Sequence, residues 1–378
     1  MDRPLRIGIN ALYLIPGGVG GTEIYLRSLL RAMAEVDTRN EYFVFTNRET
    51  TDLSPNAANF HVAQQSVAAR NRPWRIWYEQ TSLVTRCREL NLDVLFNPGF
   101  TMPLFAPCRT VTVFHDLQHK RHPEYFRWFD LPFWQFFLYW SSRRAGSLIA
   151  VSDATREDLL RYYAVDPARV HVVPHGVDDE FYAVGKHRRA AELERFVLCV
   201  STLHPHKNLE RLVRAFGKLH WERPDFKLIL AGMHGFQTAG IERVISECGL
   251  DGKVILTGWL PREELLDLYR HAWAFAYPSL FEGFGMPVLE ALAAGIPCVV
   301  SNLEPMKSNA GNAALLVDPS SEDAIAEALL EVVQSDVVRA RLAEAGPLRA
   351  AQFSWRKAAE STIRVLEDPE DRGNGRRD

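Results

Sequence analysis

Short apolar runs alternate with amphipathic runs along almost the whole chain of 378 residues. This alternation predicts parallel strands covered by helices, because parallel strands need long crossover connections and bury both faces of the sheet. The first series of predicted strands is Leu5–Ala11, Tyr42–Thr46, Val94–Phe96, Val111–Phe114, Leu148–Val151 and Val170–Val173. The second series is Phe196–Val200, Leu228–Ala231, Val254–Thr257, Ala272–Tyr277, Cys298–Val300 and Ala314–Val317. The predicted helices include Glu23–Ala34, Asn208–Leu219, Arg262–Arg270 and Asp323–Val333.

Two successive series of strands predict two Rossmann-like domains, each large enough for its own core. We expect an N-terminal domain over residues 1–185 and a C-terminal domain over residues 186–353. Residues 178–195 are charged and poorly patterned, which predicts a linker. Ligands of such sheets bind beyond the carboxyl ends of the strands, so the predicted site is a cleft between the domains.

The end of the chain differs in pattern from the two domains. Ser354 is a suitable N-cap for a final helix over residues 354–366. Residues 367–378 are charged and contain Pro and Gly, which predicts a disordered tail.

Charge and cysteine usage exclude several classes of protein. The formal net charge of −3 gives no indication of bulk nucleic-acid binding. The chain does not open with a signal peptide, and no apolar run approaches the length of a membrane-spanning helix, so we expect a cytoplasmic location. The five cysteines are scattered, which is typical of thiols in a reducing compartment and not of a disulfide or zinc framework: Cys87, Cys108, Cys199, Cys248 and Cys298.

The stretch from Pro278 to Glu290 carries the strongest functional signal. Glu282 and Glu290 flank a loop that contains Gly285, and the loop leads from a predicted strand into a predicted helix with Pro287 in its first turn. Such a loop is an anion site, because free backbone N–H groups and the helix dipole favour negative charge there. The flanking acids suit neutral, hydroxyl-rich groups, so the combination predicts a sugar nucleotide.

Lys207 is the second candidate. It follows a predicted strand and directly precedes a predicted helix. A solvated lysine at a helix start is unfavourable because of the helix dipole, whereas a lysine that binds phosphate at this place stabilises a leaving diphosphate.

His115 lies with Asp116 at the end of a predicted strand, where ligand-binding residues are expected. The alternative is a hydrogen-bonded structural histidine. A zinc site formed by His115, His119 and His122 is a further alternative, but Pro123 and the loop-like context count against it.

The loop Gly17–Gly21 lets backbone approach phosphates or an acceptor, with Gly20 and Gly21 as the donor-binding candidates. A simple strand-to-helix turn is the alternative. No acidic residue follows at the end of a second strand, since Glu41 precedes that strand, and an NAD enzyme is therefore a poor rival.

Aromatic residues are concentrated in one region of the first half. Residues 125–140 hold ten of the 41 aromatic residues, and residues 70–88 add five arginines and two tryptophans. Together, residues 125–144 and 70–88 predict either a helix packed in the core or a surface that meets lipid head groups.

These motifs, in this order, resemble the retaining, nucleotide-sugar-dependent glycosyltransferases of family four, which have the GT-B fold. The resemblance extends from Ile7 to about Leu366. Its markers are Gly17–Glu23, Phe114–Leu117, Val151–Asp153, Val173–Asp178, Pro205–Asn208, the glutamate pair and Phe353–Trp355. The resemblance implies that the final helix crosses back to the N-terminal domain.

The resemblance also implies a role for each candidate residue. Glu290 is expected to hold the ribose and Glu282 a hydroxyl of the donor sugar, while Lys207 binds the diphosphate and His115 lies beside the reacting centre. The backbone N–H groups facing the donor are those of Phe284, Gly285 and Met286. No metal or other cofactor is expected, because a lysine and helix dipoles carry the leaving-group charge.

One position departs from the family pattern. Many relatives have an arginine five or six positions before the lysine, where this chain has Ser201 and Thr202. His204, His206 or a distant arginine is the candidate replacement.

The implied activity is transfer of a hexose, with retention, to a glycan or polyprenyl-linked acceptor. The stretch around the glutamate pair resembles bacterial mannosyltransferases of surface polysaccharides, so GDP-mannose is the first choice of donor. UDP-glucose, UDP-galactose and dTDP-rhamnose stay open. The alternatives are another GT-B enzyme, such as a sugar-nucleotide epimerase or a phosphorylase, and a non-catalytic sugar-nucleotide-binding protein.

Overall fold

A computed structural model describes residues 3–17, 20–50, 52–233, 235 and 237–368. The chain divides into two compact units. The first unit contains the residues up to Gly176 and the segment from Ser354 onwards, and the second unit is Val177–Phe353. Of the predicted tail, residues 369–378 lie outside the described part, whereas Glu367 is the last residue of the final helix.

The first unit is built on a parallel sheet, which has seven strands within the described residues. They are β1 (Arg6–Asn10), β2 (Glu41–Phe45), β3 (Phe60–Val62), β4 (Val94–Asn97), β5 (Arg109–Phe114), β6 (Ser147–Ala150) and β7 (Val170–Val172). Their order in the sheet is β3-β2-β1-β4-β5-β6-β7. The order reverses between β1 and β4, and this switch point is where sheets of this type bind ligands. The sequence did not predict β3, because it has three residues and two are exposed.

Six helices accompany this sheet before the chain enters the second unit, counted over the described residues. They are α1 (Gly21–Val36), α2 (Arg72–Gln80), α3 (Ser82–Glu89), α4 (Gln118–Arg121), α5 (Leu131–Arg144) and α6 (Asp153–Tyr163). Of these, α1 is strongly amphipathic and buries the face that contains Tyr25, Leu26 and Leu29.

The second unit has a parallel sheet of six strands in its described residues. They are β8 (Glu194–Val200), β9 (Lys227–Ala231), β10 (Val254–Gly258), β11 (Ala272–Tyr277), β12 (Cys298–Ser301) and β13 (Ala314–Val317). The order is β10-β9-β8-β11-β12-β13, so the switch point lies between β8 and β11. The helices are α7 (Asp179–His187), α8 (Leu209–Glu222), α9 (Thr238–Glu247), α10 (Arg262–His271), α11 (Met286–Ala293), α12 (Met306–Ala310), α13 (Glu322–Gln334) and α14 (Asp336–Ala350).

The predicted linker over residues 178–195 is wrong, because most of it is folded. Helix α7 occupies Asp179–His187 and buries Phe181 and Val184. The ring of Phe181 packs edge-on against that of Tyr269, with 5.0 Å between the ring centres. The Arg262 guanidinium lies over the Phe181 ring, 4.7 Å from its centre. Two apolar residues three positions apart were enough to fix a helix that the surrounding charges concealed.

The last helix, α15 (Trp355–Glu367), belongs to the first unit, as the resemblance implied. The Ser354 hydroxyl accepts a hydrogen bond from the Lys357 N–H, the predicted N-cap. The Trp355 ring stacks on His175 at 5.9 Å. A Cβ atom on Gly176 would lie 2.1 Å from the Trp355 nitrogen, so only glycine permits this close approach of two backbones. The predicted fold of two parallel α/β sheets with a returning helix is confirmed.

None of the helices among the described residues is both long and apolar enough to span a bilayer.

Candidate active site

Lys207 and Glu282 form a buried ion pair at the switch point of the second unit. Lys207 ends a short turn after β8, and Glu282 lies in the loop after β11, the neighbouring strand. The Lys207 Nζ donates to Glu282 Oε1 at 2.6 Å and to the Tyr277 hydroxyl at 3.0 Å. The two charged side chains are only 14% and 10% exposed, so water screens their attraction weakly.

Glu282 is held as a carboxylate. Burial alone raises its pKa, but the charges of Lys207 and His206 and the hydrogen bonds from Lys207 and Ser279 outweigh burial and lower the pKa below its ordinary value. The Ser279 hydroxyl is 2.8 Å from Glu282 Oε1. The site therefore presents a fixed cation and a fixed anion in contact.

Hydrogen bonds to backbone carbonyls join the two loops that carry this pair. Asn208 has left-handed backbone (φ 60°) and donates through Nδ2 to the carbonyls of Pro278 (3.0 Å) and Pro319 (2.7 Å). The Leu280 N–H donates to the carbonyl of His206 at 2.7 Å. The turn after β8 and the loop after β11 are thus one hydrogen-bonded assembly.

The glycine loop that is predicted to bind an anion leads into the start of α11. Gly285 is the residue before the helix and has φ of +86°, a conformation that favours glycine. Asn309 Nδ2 donates to the Phe284 carbonyl at 2.6 Å, and Phe284 is buried. The first N–H groups of the helix, which begins at Met286, have no acceptor within the helix.

Glu290 lies further along α11 and is 9% exposed. The Tyr269 hydroxyl donates to its Oε2 at 2.8 Å. Burial raises the pKa of Glu290 to about 7, although the Tyr269 hydrogen bond and the Arg262 charge oppose the rise. The carboxyl is therefore about half ionised at neutral pH, and any ligand hydroxyl that donates to it will favour the ionised form.

His115 follows β5 in the first unit and is buried. Its Nε2 lies 2.8 Å from the Pro98 carbonyl, which can only accept, so Nε2 carries the hydrogen and Nδ1 is an acceptor. Burial lowers the pKa to about 4, with the Pro98 hydrogen bond opposing the shift, and the ring is neutral at pH 7. It packs edge-on against Tyr25 at 4.8 Å. A neutral imidazole here accepts a hydrogen bond and does not supply a proton.

The other two histidines of the zinc alternative have separate partners. His119 Nε2 is 2.6 Å from the Tyr163 hydroxyl, and His122 Nδ1 is 3.0 Å from Glu124. The described residues contain no group of three or more potential ligands that could hold a metal ion.

Gly20 and Gly21 lie in the first unit at the start of α1. Gly20 has φ 59° and ψ −129°, which requires glycine. The Gly17 N–H donates to Glu23 Oε2 at 2.8 Å, and Glu23 also pairs with Arg27 at 2.9 Å, so Glu23 closes this loop. Two residues of the predicted loop, 18 and 19, lie outside the described part.

The position of the absent arginine is occupied by small side chains. Ser201 continues the end of β8, where its N–H donates to the Ala231 carbonyl at 2.9 Å. His204 directly precedes the short turn that ends at Lys207, His206 lies within that turn, and the two rings stack at 5.8 Å. Burial and the charge of Lys207 lower the pKa of His204. Imidazoles thus stand close to Lys207 where many relatives have a guanidinium.

Three functional side chains were missed from the sequence: Tyr277, Ser279 and Tyr269. Tyr277 is the last residue of β11, and this position at a strand end is the signal that would have identified it. Tyr269 carried no comparable signal, because it lies within α10, two residues before the end of the helix, and is fully buried.

Solved structures show which fold this is. The chain superposes on sucrose-phosphate synthase from Thermosynechococcus elongatus with a TM-score of 0.76 and 18% identity, over 96% of this chain and 98% of that one. The glycosyltransferase WaaG gives a TM-score of 0.73 with 17% identity, over 96% and 99% of the two chains. The architecture is that of the GT-B glycosyltransferases.

Sequence comparisons define the family. The family model described as Glycosyltransferase Family 4 matches residues 19–181, and the one described as Glycosyl transferases group 1 matches residues 186–349. O-antigen chain mannosyltransferase B of Escherichia coli is 30% identical over 280 residues, 71% of this chain and 73% of that protein. The MMP alpha-(1->4)-mannosyltransferase of Mycolicibacterium hassiacum is 33% identical over 295 residues, 75% of this chain and 69% of that protein. The chain belongs to glycosyltransferase family 4, and it is a retaining, nucleotide-sugar-dependent hexosyltransferase.

Proposed function

We propose that the enzyme transfers mannose from GDP-mannose to a glycan acceptor in the synthesis of a cell-surface polysaccharide. The relatives that carry mannosyltransferase names favour this donor sugar, and two of those names refer to the O-antigen chain. The observation that carries the chemistry is the buried contact of Lys207 with Glu282 at a strand switch point.

In this proposal the second unit holds the donor. The Lys207 ammonium and the N-terminus of α11 bind the diphosphate, Glu282 accepts from a sugar hydroxyl, and Glu290 accepts from the ribose. The backbone at Phe284, Gly285 and Met286 faces the sugar and the phosphates. His206 supplies a second polar contact in place of the arginine that relatives carry.

The first unit holds the acceptor. The acceptor oxygen forms a bond to the anomeric carbon on the face from which the diphosphate leaves, and the bond from that carbon to the phosphate oxygen breaks. The acceptor proton passes to an oxygen of the departing phosphate. His115 Nδ1 accepts a hydrogen bond from the donor sugar, and Gly20 and Gly21 permit close approach of backbone to the donor.

No metal or cofactor is required in this scheme. The leaving diphosphate gains charge as the glycosidic bond breaks, and Lys207 together with the helix N-terminus neutralises it in a site with little water. Chelator in the assay should therefore leave the rate unchanged.

The test is a product analysis with four donors: GDP-mannose, UDP-glucose, UDP-galactose and dTDP-rhamnose. Proton NMR of the product gives the sugar and its anomeric configuration. We expect an α-mannoside from GDP-mannose, and Lys207→Met should lower turnover by about a hundredfold to a thousandfold. Lys218→Met is the matched control, since Lys218 is 45% exposed and pairs with Asp323 on the surface. A preferred donor other than GDP-mannose refutes the choice of sugar, whereas an isomerised donor or binding without turnover refutes transfer.

We also propose that the first unit contacts an anionic bilayer. Helix α5 buries only Leu138, Ser141 and Ser142, so the alternative of a helix packed in the core is disfavoured. Exposed aromatic side chains occur in and near it: Phe105 (71%), Trp128 (84%), Phe129 (55%), Phe136 (49%) and Tyr139 (38%). Arg143 and Arg144 lie over aromatic rings of this set, at 5.6 Å from Tyr139 and 4.7 Å from Phe105. Aromatic rings with arginines are typical of surfaces at anionic head groups.

Flotation of the protein with liposomes tests this surface. We expect binding to vesicles with anionic lipid at low salt, weaker binding at high salt, and loss of binding in Trp128→Ser/Phe129→Ser. The control is Trp221→Ser, which changes a tryptophan that is 91% exposed in the second unit. Equal flotation of both variants, or binding only to a protein partner, refutes the proposal.

A further inference from the structure

A cavity of about 250 Å³ lies in the first unit, at the switch point of its sheet. Tyr13 follows β1, and Gly99 and Phe100 follow β4, the neighbouring strand on the other side of the reversal. Helices α2 and α5 supply most of the remaining wall, with Thr22 of α1 and Thr101. The position is the one at which parallel sheets bind ligands, and none of the residues discussed for the donor lines it.

Buried polar atoms without hydrogen-bond partners line this cavity. The Glu79 side chain is 2% exposed, and its Oε2 receives no hydrogen bond from the described residues. Within the part of the chain that the structure describes, the Tyr13 hydroxyl has no hydrogen-bond partner, and Arg72 Nη2 and Arg75 Nε donate to no acceptor. Buried polar groups in folded proteins are almost always hydrogen-bonded, so four such atoms around one cavity point to a ligand that bonds to them.

The charges of the cavity are nearly balanced. Arg75 Nε lies 3.4 Å from Glu79 Oε1, close enough for an ion pair but not aligned for a hydrogen bond. Arg72 donates to Asp130 Oδ1 at 2.9 Å. Each guanidinium thus has its own carboxylate, and the cavity offers donors and an acceptor without a large net charge.

The cavity also has an aromatic wall. The Arg72 guanidinium lies 4.3 Å from the centre of the Phe133 ring and 4.8 Å from that of Trp134, and Phe100 and Phe137 line the same space. Apolar ring faces beside a few polar atoms suit a sugar, whose C–H faces are apolar and whose hydroxyls both donate and accept.

We propose that this cavity seats the terminal, neutral monosaccharide of the acceptor, with Glu79, Tyr13, Arg72 and Arg75 as the residues that select it. The proposal rests on the proposed function and narrows it: the enzyme extends an existing glycan and does not transfer the first sugar to a polyprenyl phosphate. The cavity is smaller than the usual range of about 300–1,000 Å³ for drug-sized ligands, which fits one sugar ring.

The balance of charge is what favours a neutral sugar over a phosphate. A phosphate would bring about two negative charges next to Glu79, while both arginines already have carboxylate partners. Burial raises the pKa of Glu79 to about 7 and the Arg75 charge lowers it, so a substantial carboxylate fraction is present at neutral pH.

The test uses the full chain with GDP-mannose and two acceptors, methyl α-mannoside and a short polyprenyl phosphate. We expect turnover with the glycoside. Tyr13→Phe and Glu79→Gln should raise the KM for the glycoside about tenfold to a hundredfold, since each loses a hydrogen bond to a buried group. The affinity for GDP, which the second unit is proposed to bind, should stay within about twofold of wild type. Arg86→Gln, on the exposed side of α3 and paired with Glu89, is the control.

Saturation-transfer NMR of methyl α-mannoside bound to wild type and to Tyr13→Phe gives a second measurement that does not need turnover. Weaker contact in the variant, with unchanged melting temperature, supports the proposal. A KM for the glycoside that is unchanged in both variants, together with equal NMR contact in wild type and Tyr13→Phe, overturns it, as does turnover with polyprenyl phosphate but not with the glycoside. Failure of the proposed function is distinguishable, because then no mannoside forms from GDP-mannose while the NMR comparison still decides whether the cavity binds a sugar.

Discussion

Glu290 is stabilised in its neutral form, so replacing it should remove a loss of stability that wild type shows as the pH rises, and should weaken the binding of nucleotide by the second unit. In the folded protein its pKa is raised from 4.5 to about 7. The folded state therefore binds the proton more tightly than the unfolded chain does, and stability is lost as the pH rises from 4.5 through 7. A rise of this size corresponds to about 3 kcal/mol.

The change to test is Glu290→Gln, which keeps the shape and leaves an amide oxygen for the Tyr269 hydroxyl. Between pH 5.5 and 8.5 the free energy of unfolding of the variant should gain about 2 kcal/mol on wild type, because only wild type loses stability over this range. The amide NH₂ group adds a desolvation penalty, but that penalty is independent of pH and cancels in the difference. The affinity for GDP should fall about tenfold to a hundredfold at pH 8, because the ribose loses a charged acceptor.

The assay is equilibrium unfolding in urea at four pH values. The transition to follow is the one that GDP shifts to a higher urea concentration, because a bound ligand stabilises the unit that binds it. Glu264→Gln, an exposed glutamate on α10, is the control and should change neither quantity. A stability difference that is the same at pH 5.5 and 8.5 would refute the raised pKa. An unchanged GDP affinity would refute the contact with ribose.

Three further changes test the geometry. Gly285→Ala puts a side chain on backbone with φ of +86°, and should lower the free energy of unfolding by about 1–2 kcal/mol. The melting temperature of the second unit and the donor affinity should fall with it, and an unchanged melting temperature contradicts the strain argument. Gly176→Ala places a Cβ 2.1 Å from the Trp355 nitrogen, and should expose α15 to proteolysis, whereas Gly217→Ala, whose Cβ would meet only Leu250 at 3.6 Å, should not. His115 has a pKa of about 4, so the pH profile of kcat should show no step near 6.5, and a step that disappears in His115→Gln would contradict the neutral assignment.

The strands of both sheets except β3 could be predicted, because each is a short, nearly continuous apolar run. Val94–Phe96 and Cys298–Val300 are buried and apolar at every position, and each strand ends with one buried polar residue, Asn97 or Ser301. Helix α7 could not be predicted, because its two buried residues lie among charged residues in the sequence. The residues against which they pack, such as Tyr269, are distant in sequence. Periodicity fails where a helix needs only a narrow apolar face.

The candidate residues could be predicted, but their contacts could not. Lys207 and Glu282 were each identified from their position between a strand and a helix. That they touch depends on β8 lying next to β11, and the order of strands in a sheet is not visible in the sequence. The raised pKa of Glu290 follows from burial, which depends on the packing of α11 beside Tyr269. The cavity of the first unit was missed for the same reason, since Tyr13, Glu79 and Phe100 come from separate segments.

The two switch points differ in how their polar atoms are paired, and the difference follows from what each is proposed to bind. At the second unit's switch point, Lys207, Glu282, Tyr277 and Ser279 already bond to one another, so the geometry is fixed before a donor arrives. A diphosphate then competes for the Lys207 ammonium, which is already in position. Because no reorganisation is needed, this cation stabilises the charge that develops only in the transition state. In the first unit, Glu79 and Tyr13 retain unused bonding capacity within the described structure. A site of that kind discriminates strongly, because a ligand lacking the matching hydroxyls leaves those buried groups unpaired. We therefore assign rate enhancement to the preorganised site of the second unit. Acceptor selection is assigned to the cavity of the first unit, whose polar groups the acceptor would pair.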